Sequence, residues 1–344
     1  MFKELGLLAW GMHKYLGYDS FISTYKNDNY DYLKYLPGLR LEFIQNVKND
    51  FIKDSLDWLR NNARKIDILH LFHIREETKK RIELYKKVNP SGRVYLKLDG
   101  IISKQDIFKD TSIIDFISIE FKEYTYQISM ILNRPIGFVP NPIYPYEVKE
   151  FRNFNNRSNI ILYVGRVEFN KGSHILLEAF VKIHDKIPNW KLKLIGAINK
   201  KLIIAKNFSS IYPNLKGKVI FTGEINDREK LIEMYRNSKI FAFPSRSEGC
   251  PISLSEAISQ GCFPIVSNIL PNKLLTNNFK FAFNHEKDNS NQLADKLLYA
   301  CLHEIEIEKL AILGRNEMVS RCDLEKCSKT IHEGVFCNSY IKKK

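Results

Sequence analysis

ILYVGRVEFNKGSHILLEAF (residues 161–180) passes from an apolar run through a turn into a helical pattern. The run is free of polar residues and rich in branched side chains, so it reads as a strand buried on both faces. It stops at Gly165-Arg166. After a short turn, Lys171-Gly172-Ser173 opens a segment whose apolar residues recur at helical spacing. Strand, short turn and helix in this order form the repeating unit of a parallel sheet.

The unit recurs. Apolar runs stand at 160–167, 190–196, 218–223, 239–245 and 262–268, and SHILLEAFVKIHDKI, KKLIIAKNFSSIY, DREKLIEMYRNS and PISLSEAISQG between them have helical periodicity. Unbroken strands separated by helices predict a doubly wound α/β domain. The first half is a weaker copy. LGLLAWGMHKYL reads as a helix and GYDSFISTY as a strand. IDILHLFHI (66–74), RVYLKLDG (93–100), IIDFISIEF and PIGFVPNPI supply further strands, and REETKKRIELYKKV a charged helix. Residues 140–159, rich in Pro, Asn and charge, read as the linker. Two domains are therefore expected, 1–145 and 146–330, with 331–344 a segment that packs back on the first.

The 344 residues carry a net charge of +14, with 22 basic and 18 acidic residues up to residue 146 and 31 against 21 beyond it. An excess in the second half suits an anionic substrate, a phosphate-rich partner or an acidic membrane surface, and equally a merely basic soluble protein. Nucleic acid is disfavoured, because no aromatic-basic module accompanies the charge. All six cysteines fall after residue 249, with no CxxC pair and no His at metal spacing. Free thiols in a reducing cytoplasm, and no metal site, are the expectation. No stretch approaches the ~20 apolar residues of a membrane span, and the N-terminal patch reads as a helix of the fold rather than a signal peptide. A cytoplasmic protein, or one peripheral on the inner face of the membrane, is expected.

Two constellations carry chemistry. In the first, Gly165 ends a strand, Arg166 and Lys171 stand at the strand end, and Gly172 and Ser173 open a helix whose unpaired N–H groups favour anions. A guanidinium and an ammonium together suit two phosphates. Taken alone, Arg166 and Lys171 read equally well as solvated loop residues. Neither a P-loop nor GxGxxG is present.

The second is PSRSEGCPISLSEAISQGCFPIVSN (244–268). Glu248, Gly249 and Cys250 form a turn, Pro251 suits the first helical position, and Ile252 and Glu256 lie in the following helix. Gly249 and Cys250 can present backbone N–H groups, and the carboxylates can accept sugar hydroxyls. Each glutamate by itself reads also as a solvent-facing residue.

The pattern S-x-x-E-G-x-P-x-x-L-x-E-A-x-x-x-G-x-x-P-I-V-S resembles the signature of the family 4, or group 1, retaining glycosyltransferases, whose fold is called GT-B. V-G-R-x-x-x-x-K-G, about eighty residues earlier, is similar to the same family's diphosphate motif, and V-P-N-P-I at 139–143 to the end of its N-terminal domain. The ordered match covers about residues 139–270. The resemblance implies two Rossmann-like domains facing a cleft, no obligatory metal or cofactor, and a nucleotide diphosphate sugar as donor. Arg166 and Lys171 would neutralise its diphosphate and Glu256 would accept ribose hydroxyls. Glu248 would contact the sugar, under a turn formed by Gly249, Cys250, Pro251 and Ile252. The acceptor would be a sugar or lipid-linked sugar, in capsule, lipopolysaccharide or glycolipid synthesis.

The chain also departs from the family. No first strand with its Gly-Gly loop precedes GMHKYL, so an N-terminal domain that lacks its first strand or is remodelled is expected, with a catalytically silent partner subunit as the alternative reading. Asp99 stands where many members have His, to orient hydroxyls, act as a base or merely cap. The usual second glycine after KLKLIG is replaced at Ala197-Ile198. His70 and His73 read as packing or strand-end residues. The basic helix ETKKRIELYKK (77–87) reads as a solvated face, or as a dock for an anionic membrane carrying the acceptor.

Overall fold

The computed structural model describes residues 4–26, 30–99, 111–148, 150–199 and 201–337. The chain divides into two compact units, one of residues 1–144 with 322–344 and one of residues 145–321.

Unit 1 holds two parallel sheets. β1 (Phe21–Tyr25) pairs with β2 (Arg40–Ile44), and β3 (Ile68–Phe72), β4 (Arg93–Leu98), β5 (Phe116–Ile119) and β6 (Gly137–Phe138) form the second in that order. β2 and the helix Phe51–Asn62 were not anticipated from the sequence. Asp50 starts that helix, its side chain accepting from the backbone N–H groups of Ile52 and Lys53. The first described element is the helix Glu4–Leu16. Its Leu7, Leu8 and Trp10 share one buried cluster with Tyr95 and Phe116 of the sheet and with Leu324, Cys327, Ile331 and Val335 of the C-terminal helix Leu324–Phe336.

That helix moves the expected boundary. The second unit ends at Arg321, not at 330, because the apolar stripe of residues 324–335 is buried in unit 1. The expected linker is also shorter. The chain enters unit 2 at Pro145, Phe154 is 1% exposed in the unit 2 core, and buried Arg157 donates to the carbonyls of Arg152, Ser238 and Gln260.

Unit 2 is one six-stranded parallel sheet of β7 (Ser158–Val164), β8 (Lys191–Ile195), β9 (Val219–Gly223), β10 (Ser238–Phe243), β11 (Phe263–Ser267) and β12 (Phe283–His285). The spatial order is β12-β11-β10-β7-β8-β9. Counted from β7, this is the 3-2-1-4-5-6 order of dinucleotide-binding sheets, whose ligands bind where the order reverses, beyond the carboxyl ends of the strands. The reversal lies between β7 and β10. KKLIIAKNFSSIY, expected as one helix, forms two short ones, Ile203–Lys206 and Phe208–Ile211. Two α/β units built on parallel sheets, the organisation expected of the GT-B class, are thus present.

Close helix contact in unit 1 rests on Gly11, where an added Cβ would stand 2.5 Å from Ser328 Oγ and 2.7 Å from Leu324 Cδ1. Gly11→Ala gains helix propensity but overpacks this contact. A net loss of about 1–2 kcal/mol in urea unfolding is expected; an unchanged midpoint would show that the C-terminal helix is held elsewhere.

Candidate functional site

The turns after β7 and β10 lie side by side at the reversal point. Gly172 has φ +67°, and a Cβ there would fall 1.9 Å from the Pro244 carbonyl oxygen. Only glycine permits both the left-handed conformation and this approach. The Arg246 N–H donates to the Asn170 carbonyl at 3.1 Å, and the Arg246 guanidinium lies 4.3 Å from the centre of the Phe169 ring. Across the same junction Lys171 Nζ donates to Glu248 Oε1 at 2.8 Å. The two halves of the sequence pattern, 77 residues apart at this pair, are thus one structural object.

Around it the loops are tied down. Ser173, fully buried, donates to the Glu168 carbonyl, and Tyr163 donates to the Arg166 carbonyl. Gly165 donates its N–H to Ile195 at the end of β8. Ala197, where the family's second glycine was expected, accepts from the Val167 N–H at 2.8 Å, so the loops after β7 and β8 are paired by backbone. The Arg166 side chain is 68% exposed and meets Glu168 at 3.1 Å.

In the second turn Pro251 is the N-cap, with extended backbone, and not the first helical residue; the helix is Ile252–Ser259. Gly249 is exposed, and a Cβ there would meet nothing within 4 Å. Packing of the chain on itself therefore does not demand a glycine at 249. Cys250 is half-buried.

Glu256 does not stand alone. Its Oε1 is 2.7 Å from Arg228 Nη1, and its Oε2 accepts from the Tyr235 hydroxyl at 3.1 Å. The rest of the Arg228 fork grips Glu147, Nε to Oε1 at 2.6 Å and Nη2 to Oε2 at 2.7 Å. Burial would lower the Arg228 pKa, but Glu256 and Glu147 outweigh it and hold it above the arginine range. Burial raises the Glu147 carboxyl despite Arg228, and the charge of Glu256 adds to the rise. Burial, then Glu256, drives the Tyr235 hydroxyl well up. Sequence reading missed Arg228, Tyr235 and Glu147. They lie in segments with no motif, and only Asp227, which caps the helix Arg228–Asn237, marked the place.

Asp99 belongs to a separate polar group in unit 1, at the carboxyl end of β4. Its Oδ1 is 3.5 Å from Lys97 Nζ and its Oδ2 is 3.8 Å from His73 Nδ1. Lys97 is wholly buried and donates to Asn141 Oδ1 at 2.8 Å. His73, with φ +60°, sits just beyond β3, while His70 lies within it and stacks on Tyr95 with centroids 4.3 Å apart. The two histidines thus have different surroundings. Lys97 and Asn141 were not singled out in the sequence, because a lysine inside an apolar run gives no sign of its depth.

The basic helix, Glu76–Val88, spends much of its charge inside unit 1. Lys86 pairs with Asp115, Arg81 donates to Ser55 and Lys79 lies near Glu83, leaving Lys80 and Lys87 exposed. Among the described residues no three His, Cys, Asp or Glu are grouped to hold a metal, and no helix is long and apolar enough to cross a membrane.

Burial, and then Lys97, lowers the pKa of His70 from 6.5 to about 3. Between those values the unfolded chain binds a proton that the folded chain refuses, so stability falls as pH drops below 6.5. His70→Phe keeps the stacking and removes this proton. From pH 7 to 5 the variant should lose about 2 kcal/mol less than the parent in urea titrations; equal losses would mean that His70 is protonated in the fold.

Comparison with known proteins follows the same lines. Residues 147–317 match the sequence model of the family described as "Glycosyl transferases group 1". The capsular polysaccharide biosynthesis glycosyltransferase CapH of Staphylococcus aureus is 31% identical over 131 residues, 38% of this chain and 36% of that protein. The aligned part thus spans about a third of that relative. A glycosyltransferase from Rickettsia africae has the same fold, with a TM-score of 0.73 at 17% identity over 99% of this chain and 95% of that one. So does Anabaena Alr3699/HepE in complex with UDP-glucose, with 0.70 at 14% identity over 96% and 94%. Through residues 147–317, which hold both turns and the Arg228 clamp, this chain belongs to the group 1 glycosyl transferases.

Proposed function

We propose that the protein transfers a sugar, with retention at the anomeric carbon, from a nucleotide diphosphate sugar to a hydroxyl acceptor. The observation that carries this reading is the junction of the two turns at the sheet's reversal point. It joins Lys171 to Glu248, next to the exposed and unobstructed Gly249, at strand ends of the kind where parallel sheets bind ligands, and Arg166 follows the end of β7.

In this reading Arg166 and Lys171 take up the diphosphate's charge, which grows as the bond from the anomeric carbon to the phosphate oxygen breaks. The acceptor oxygen forms its bond on the same face and passes its proton to the departing phosphate oxygen, and no metal is required for the charge. Glu248 and the Gly249–Ile252 turn hold the transferred sugar, and Glu256 the ribose hydroxyls. Asp99, steadied by Lys97, orients hydroxyls of acceptor or donor. The acceptor is a sugar or lipid-linked sugar of a bacterial surface polysaccharide or glycolipid, in keeping with the capsular role named for CapH. The reaction belongs on the cytoplasmic face of the membrane. UDP-sugars come first among donors, since HepE has been crystallised with UDP-glucose.

A panel of UDP-, GDP- and ADP-sugars tests the reading by thermal shift and slow donor hydrolysis. One class should stabilise the protein, by about 2.7 kcal/mol at a hundredfold excess over Kd. Arg166→Ala with Lys171→Ala should abolish that gain. A double variant that responds like the parent overturns the diphosphate assignment, and donor binding without hydrolysis or transfer makes the chain a silent binding subunit.

A further inference from the structure

The Glu147–Arg228–Glu256 group is costly in a way that stability alone does not explain. Two carboxylates share one guanidinium, all three side chains are 15% exposed or less, and the formal charges of the three groups sum to −1. A buried ion pair roughly breaks even with apolar packing, and surplus charge makes the balance worse. Its three members also come from distant stretches: the turn Pro145–Glu147 where unit 2 begins, the helix after β9, and the helix after β10. The gain must lie in geometry.

A guanidinium has a rigid fork of donors. Here the Nε–Nη2 edge is locked bidentately on Glu147, which fixes the plane and so fixes the direction of Nη1 toward Glu256. The Tyr235 hydroxyl holds the other Glu256 oxygen from a fully buried ring. Each oxygen of Glu256 accepts one of these bonds and keeps a further lone pair, because an ionised carboxylate has about four acceptor sites. A carboxylate restrained in this way presents two adjacent acceptors, which match two neighbouring hydroxyls. A lysine at 228 could not do this, having a single point charge for both partners.

We infer that Arg228 and Glu147 are positioning residues that set Glu256 to recognise the vicinal diol of a nucleotide's ribose. They thereby make this protein select ribonucleotide donors over deoxyribonucleotide ones. The inference rests on the proposed donor-binding role of Glu256 and adds the clamp that makes it selective.

The test compares binding of UDP, GDP and ADP with their 2′-deoxy counterparts by calorimetry, in the full chain and in Arg228→Lys and Glu147→Gln. Glu147→Gln is nearly isosteric and replaces one acceptor of the fork by a donor. Thermal unfolding without ligand shows which variants are folded, and the conclusion is taken from those. The parent should prefer the ribonucleotide by at least about tenfold, and the variants should lose most of that preference while still binding diphosphate. With the matching sugar donor, the loss should fall on KM rather than kcat, since the ribose is remote from the bond that breaks.

Folded variants that keep the parent's preference within twofold overturn the clamp while leaving the proposed function standing. So does a parent that binds ribo- and deoxynucleotides equally. A parent that binds none of the nucleotides overturns the proposed function and this inference with it.

Discussion

The Pro244 carbonyl oxygen occupies the space where any side chain at residue 172 would begin. That single exclusion lets the turn after β7 lie directly against the turn after β10. Without it, Lys171 and Glu248 would not meet at 2.8 Å, nor would Arg246 reach the ring of Phe169. A methyl group there would have to be accommodated by moving a strand end, and the left-handed backbone adds about 1–2 kcal/mol for a non-glycine residue. The architecture of unit 2 places β7 and β10 as neighbours, and Gly172 turns that neighbourhood into contact.

The charges follow a simple logic. A junction suited to an anion by its cations and helix start would be strained by repulsion if it were left bare. The glutamates that look misplaced there are instead partners: Glu248 to Lys171, Glu256 to Arg228. Lys171 at 22% side-chain exposure is held but reachable, and Arg166, at 68%, is paired with Glu168. Cations paired in this way are ordered by the fold itself, so an anion meeting them would bind at a lower ordering cost.

Unit 1 shows a related economy. Lys97 is carried into the interior on the central strand β4, and its ammonium is compensated by Asn141 and by Asp99 at the strand end. Burying an ammonium is expensive unless it is bonded and paired. The same charge helps to keep the neighbouring His70 neutral. The position of Asp99 is thus tied to the strand interior.

The repeating strand–helix pattern, the parallel sheets and the two turns can be read from the chain alone, because each depends on residues close together in it. Apolar runs, Gly172 and the Glu-Gly-Cys-Pro turn are legible at that range. Family membership was legible for the same reason, since the motifs keep a fixed order and spacing. Contacts between distant segments were not. Nothing local in PYE, DREK or SEAIS says that Glu147, Arg228 and Glu256 share one guanidinium. Nothing in LEKCSKTIHEGVF, amphipathic as it is, says which unit it covers. Those choices belong to tertiary structure, because an ion pair or a buried stripe is decided by what the rest of the fold brings within a few ångströms of it.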